Sequence, residues 1–194
     1  IIESLETFNQ YAGLFAGYNS GNISNCHAEG SITGPANIGG FIGSNGNSIQ
    51  KSYCKASVTG TSANIGGFAG YNGYTIKNCY CEGSVTNSTS SASNMGGFAG
   101  SDCGGSATIT NSYSTCSVTE VGSVTNIGLL TGYMSSSSKF ENCFTNVNPS
   151  AGIPLFGLTD GCSTANSQYL EGYDSSLGWD SEIWDLSKPL PTLL

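Results

Sequence analysis

Between residues 11 and 158, apolar and polar positions follow a two-part phrase that returns every 25–32 residues. One part reads "NIGGFIGSNG" (37–46), "NIGGFAGYNG" (64–73) and "NMGGFAGSDC" (94–103). It closes on a glycine, at Gly17, Gly43, Gly70, Gly100, Gly132 and, in degenerate form, Gly157. Two residues earlier stands a large apolar side chain: Phe15, Phe41, Phe68, Phe98, Leu130 or Leu155. The other part reads "ISNCHAEGSIT" (23–33), "IQKSYCKASVT" (49–59), "IKNCYCEGSVT" (76–86), "ITNSYSTCSVT" (109–119) and "FENCFTNVN" (140–148). Aligned on Ile23, Ile49, Ile76, Ile109 and Phe140, it needs no gaps. Positions three, five, seven and nine are small or apolar, and the residues between them are aromatic, charged or hydroxylated. A period of two predicts strands with one buried face. No segment has the i, i+3, i+4 stripe of an amphipathic helix.

A unit of this length with two apolar phrases fits one coil of a solenoid. The expected fold is all-β: a parallel β-solenoid (right-handed β-helix) of about five to six coils with terminal caps. Residues 1–10 are expected to form an N-terminal cap, 11–158 the repeats, and 159–194 a C-terminal capping segment that covers otherwise unpaired strand edges. In such a stack equivalent residues form ladders about 4.8 Å apart. Three asparagine columns then acquire structural tasks: Asn37, Asn64, Asn94 and Asn126; Asn19, Asn45 and Asn72, followed by Asp102; and Asn25, Asn78, Asn111 and Asn142. Asparagine tolerates the left-handed backbone at turns, and stacked amides bond from coil to coil.

Composition narrows the function classes. Only 9% of residues are charged, the five basic residues are all lysines, and the net charge is -8. Nucleic-acid binding is not expected, because phosphate neutralisation needs clustered cations. Docking on an acidic membrane through a basic patch is not expected either. No apolar run approaches the roughly 20 residues of a membrane span, so membrane insertion by this segment is not expected. The charge-poor, Ser/Thr/Asn/Gly-rich composition points to an extracellular or cell-surface location.

The repeat units resemble the GLUG repeat, with "GLFAG" (13–17) and "GGFAG" (66–70 and 96–100) close to its defining phrase. "LGWDSEIWDLSKPLPTLL" (177–194) is similar to the segment that often ends such arrays. The resemblance implies a region of a large bacterial surface protein, of the adhesin type, with no shared active site.

Candidate chemistry is sparse. The acids of the coils are scattered. Glu29 and Glu82 flank Lys55 in one column, which reads as a ladder of cross-strand pairs. His27 is the single histidine and occupies an aromatic column. The expectation is therefore no catalytic site, no metal, no cofactor and no enzyme. Two outward columns are candidate ligand faces. One is the aromatic ladder His27, Tyr53, Tyr80, Tyr113 and Phe144, suited to a glycan or protein ligand. The other is a hydroxyl ladder of Ser31, Thr33, Ser57, Thr59, Ser84, Thr86, Ser117 and Thr119, with hydroxyls about 7 Å apart along the strand and about 4.8 Å between coils. Ordinary strand surfaces and ice-binding solenoids share that spacing.

Cys54 and Cys81 share a column in adjacent coils, within disulfide range by Cα separation. The default expectation for these inward columns is buried free thiols acting as small hydrophobes, with a Cys54–Cys81 disulfide as the alternative. Asn22 and Asn87 stand in Asn-x-Ser/Thr sequons, candidate glycosylation sites. The leading expectation is an adhesin-like stalk or binding module. A self-assembling filament subunit, a polysaccharide-acting enzyme and an ice-binding face are the alternatives.

Overall fold

The structure is a computed structural model that describes residues 2–6, 10–89, 91–148, 152–159, 162–164, 167–170 and 173–194. Coils one to five contribute strands to three parallel sheets, and the sixth, among the described residues, to two of them. In the second coil these are Ile38–Gly39, Ile42–Asn45 and Ile49–Gly60; in the third, Ala63–Gly66, Ala69–Asn72 and Thr75–Asn87. We name the three sheets the glycine face, the tyrosine face and the broad face. The tyrosine face runs through six strands, from Ala16–Asn19 to Phe156–Thr159, which makes six coils. Ile2–Glu6 adds a strand to the near edge of the broad face, pairing with His27–Gly34 from Gly30 onward. Residues 1 and 7–9 of the expected N-terminal cap lie outside the described residues.

The registers reproduce the columns of the alignment. Ile49 pairs with Ile76, Tyr53 with Tyr80, Cys54 with Cys81 and Thr59 with Thr86. One detail differs from a simple alternating strand. Ile76 and Cys79 are both fully buried, although three residues apart. The left-handed residue between them, Asn78 at φ 54°, bends the chain and resets which side faces inward. Asn25, Asn111 and Asn142 do the same in their coils, at φ 54°, 49° and 51°. A second set of left-handed residues bends the chain at the glycine face, just before its strand at Asn37 and within it at Asn64 and Asn94. Asparagine is suited to both sites because its short polar side chain makes this backbone less costly than for other non-glycine residues.

The same amides tie the coils together. Asn64 donates to Asn37 at 2.7 Å, Asn94 to Asn64 at 2.9 Å and Asn126 to Asn94 at 2.7 Å. A second, buried ladder runs in the opposite sense: Asn19 donates to Asn45, and Asn45 to Asn72, each at 2.8 Å. Both ladders satisfy side-chain groups that burial would otherwise penalise.

Between the sheets, Phe15, Phe41, Phe68 and Phe98 stack ring on ring, with centroids 4.7, 4.8 and 5.0 Å apart. Each such pair contributes about 0.5–1.5 kcal/mol beyond its area burial. The double glycines follow from the narrowness of the coil. A Cβ on Gly67 would overlap the Gly97 carbonyl and approach Cys116 Sγ to 2.7 Å. A Cβ on Gly70 would overlap the Asn37 carbonyl carbon.

Candidate functional site

The broad face carries both predicted ligand columns. The hydroxyl ladder forms as aligned: Ser31, Ser57, Ser84 and Ser117 are consecutive register partners, as are Thr33, Thr59, Thr86 and Thr119. All eight side chains are exposed or half-buried. Beside them Lys55 Nζ lies 3.2 Å from Glu82, and Glu29 is the register partner of Lys55 on the other side. Glu82 raises the Lys55 pKa by its hydrogen bond. The pair is solvent-washed and adds little stability.

The aromatic ladder also forms in register. His27 stacks on Tyr53 at 5.1 Å, Tyr53 on Tyr80 at 4.8 Å, Tyr80 on Tyr113 at 5.0 Å and Tyr113 on Phe144 at 4.9 Å. It points away from the inner core and forms a second apolar cluster. As a free ligand face, however, it requires correction. The C-terminal segment lies along the side of the solenoid and covers it. Leu177, Trp179 and Trp184 pack on the rings, leaving Tyr80 only 4% exposed and Tyr113 and Phe144 fully buried. Tyr113 OH donates to the Pro191 carbonyl at 2.8 Å, and Trp179 Nε1 to the Asn142 carbonyl at 2.9 Å. Burial raises the pKa of both Tyr80 and Tyr113. The cause is the exposed apolar area of stacked rings, which two tryptophans remove from water. Only the near end remains accessible: His27 is exposed and Tyr53 half-buried.

Two other candidate positions are corrected. Asn87 is fully buried, so it is no glycan acceptor in the folded chain. Its amide donates to the Thr89 and Val121 carbonyls at 2.9 and 2.8 Å and accepts from Val121 N at 2.6 Å. Asn22 is exposed. Cys54 and Cys81 stand side by side in register, but as free thiols. Each sulfur points across the coil to a glycine carbonyl, Cys54 to Gly67 at 3.2 Å and Cys81 to Gly97 at 3.3 Å. The thiols also interact with one another along the column, Cys54 with Cys81 and Cys81 with Cys116. Burial raises both thiol pKa values, and pushes that of Cys79 up to about 12.

A third column escaped the sequence reading. Tyr18, Ser44, Tyr71, Ser101, Tyr133 and Leu158 are successive register partners on the tyrosine face. Tyr18 is 59% exposed, and Tyr11 lies edge-on to it at 6.3 Å. Its sequence signal is simple: each is the residue after a phrase-closing glycine.

Two residues depart from their columns. Asp102 ends the buried asparagine ladder, and burial pushes its carboxyl pKa up to about 7 despite the Asn72 hydrogen bond. Lys51 sits at the left-handed corner, φ 49°, where the other four coils have asparagine.

Comparison with known proteins returns one family. A family model described as the GLUG motif matches residues 8–33, consistent with a GLUG-motif repeat region. No curated protein and no solved structure matches the chain.

Proposed function

We propose that the chain is a non-catalytic, adhesin-like module of a secreted or cell-surface protein, which presents a solenoid face to a glycan or protein ligand. The observation that carries this reading is the broad face. Four successive coils hold paired hydroxyls in register beside the open end of an aromatic ladder, on a backbone locked by two asparagine ladders. Such a surface is preorganised, so binding loses little conformational entropy. The GLUG match and the six-coil solenoid are compatible with an extracellular β-helix module. The test is a panel of immobilised glycans and matrix proteins, followed by product analysis. Retention of the intact chain without cleavage of the ligand is expected. Product release would make the chain an enzyme, and retention by nothing would reduce it to a spacer.

A second reading, end-to-end assembly, is favoured by the first coil. Phe15 begins the inner ring stack yet is 43% exposed, next to exposed Tyr11 and Tyr18. A second copy docking there would continue the stack. Size-exclusion chromatography with electron microscopy decides it: a clean monomer at high concentration rules assembly out.

A further inference from the structure

Along the tyrosine face, tyrosine and serine alternate from coil to coil: Tyr18, Ser44, Tyr71, Ser101 and Tyr133 are successive register partners. The rings therefore stand two coils apart, ~9.6 Å at the strand spacing. Stacked rings need about 4.5–7 Å between centroids, so these three do not occupy one another's faces as the other aromatic columns do. Ser44 is buried although its column points outward, because the Tyr18 ring leans over that coil: a Cβ on Gly46 would come within 2.6 Å of the Tyr18 hydroxyl. Tyr18 itself stays 59% exposed, and Tyr71 and Tyr133 are half-buried. A ring that leans along a sheet turns one flat side to solvent. The six strands of this face hold no lysine, and their one acid, Asp102, is buried. The turns that leave the first five strands, at 20–22, 46–48, 73–74, 103–107 and 135–138, are also uncharged and rich in Asn, Ser and Gly. In a chain of net charge -8, this is a neutral strip with apolar rings at a fixed interval and hydrogen-bonding side chains along its edge.

We propose that the tyrosine face binds an extended, uncharged β-1,4-linked glycan chain lying along the solenoid axis. In such a chain successive sugars alternate in orientation, so every second one presents the same side, at an interval close to two coils. The C–H side of alternate sugars packs on Tyr18, Tyr71 and Tyr133, where the rings offer apolar area with a polar tip. The Asn and Ser side chains of the flanking turns supply donors and acceptors for the sugar hydroxyls. With no cation on the strip, nothing favours a uronate over a neutral sugar. The site is separate from the broad face and does not depend on it.

The test is isothermal titration of the full chain with the di-, tri- and pentasaccharides of the cello and chito series, and with the α-linked maltopentaose. A disaccharide covers one tyrosine, a trisaccharide bridges two and a pentasaccharide reaches three. Affinity in at least one β-linked series is expected to rise roughly three- to tenfold at each step, the scale of one ring contact, and that series names the sugar. Maltopentaose, whose links curl the chain, is expected to bind no better than a disaccharide. Tyr71→Ser installs the residue that coils two and four hold in this column, so the variant folds. It is expected to weaken pentasaccharide binding by roughly three- to tenfold, while Tyr71→Phe keeps most of it. Absence of binding in both series, affinity that does not rise with length, equal binding of maltopentaose, or full binding by Tyr71→Ser overturns the proposal. If Thr59→Lys on the broad face abolishes glycan binding and Tyr71→Ser does not, this proposal falls and the broad-face reading stands. Self-association of the chain that Tyr71→Ser abolishes would assign the strip to a second copy and overturn it too.

Discussion

The amide of Asn72 donates to the carboxylate of Asp102 at 2.6 Å, and with that bond the buried asparagine ladder ends. The second carboxylate oxygen of Asp102 is buried without a hydrogen-bond partner among the described residues. An amide ladder that ends in an acid makes coil four sensitive to pH. The folded pKa, about 7, lies above the ordinary 3.8. The stability linked to Asp102 is therefore complete below the unfolded pKa and declines as pH rises toward 7 and above. Asp102→Asn removes the titration. Urea unfolding is expected to show the variant about equal to the parent at pH 4 and about 1–3 kcal/mol more stable at pH 8.

Lys51 at φ 49° predicts a stabilising substitution. Lys51→Asn relieves part of the left-handed strain and raises stability by about 0.5–1 kcal/mol. Thermal unfolding without any ligand checks it.

The tryptophan cap forms a cluster distinct from the inner phenylalanine stack. Trp184→Ala opens a cavity above Tyr80 and Tyr113, and costs about 3–5 kcal/mol. The loss falls on docking of the C-terminal segment. The expected signature is a red shift of Trp179 fluorescence with an unchanged far-ultraviolet β signal.

Asn87 closes a buried turn, while Asn22 is open to solvent. Folded protein secreted by a glycosylating host is expected to carry a glycan on Asn22 and none on Asn87, as peptide mass spectrometry will show. Asn87→Ala leaves Val121 backbone groups unpaired and costs about 1–3 kcal/mol.

Thiol reactivity separates the cysteines. Cys26, Cys103 and Cys162 are partly exposed, whereas Cys54, Cys79, Cys81, Cys116 and Cys143 are buried. Iodoacetamide is expected to label Cys26, Cys103 and Cys162 in native protein, and the buried five only after unfolding, because burial blocks access and their thiol pKa values are raised, that of Cys116 chiefly by the Cys81 hydrogen bond and the others chiefly by burial.

The coil architecture was legible because a solenoid repeats its constraints. Each coil must place a small residue in the narrow interior and a left-handed residue at the corner, so columns of Cys, Ser and Asn appear at fixed offsets. Pairings such as Tyr53 with Tyr80 follow from alignment alone. The candidate site was only half legible. The aromatic column and hydroxyl ladder were placed correctly on one face, and the tyrosine column was present at a fixed offset but overlooked. Accessibility was beyond reach. Asn87 and Asn22 look alike in a sequon, and only the fold puts one beneath Val121.

By itself, then, the amino-acid sequence determined the all-β class, the coil period, the register of the ladders and the phenylalanine core. These are properties of neighbouring copies of one pattern, and period-two spacing encodes them locally. Only the tertiary structure decided which outward columns meet solvent. Trp179 and Trp184 lie in a segment with no repeat to align against, and they bury Tyr113 and Phe144 more than thirty residues away. That contact comes from apolar area finding apolar area, which is non-directional and leaves no periodic trace in the chain.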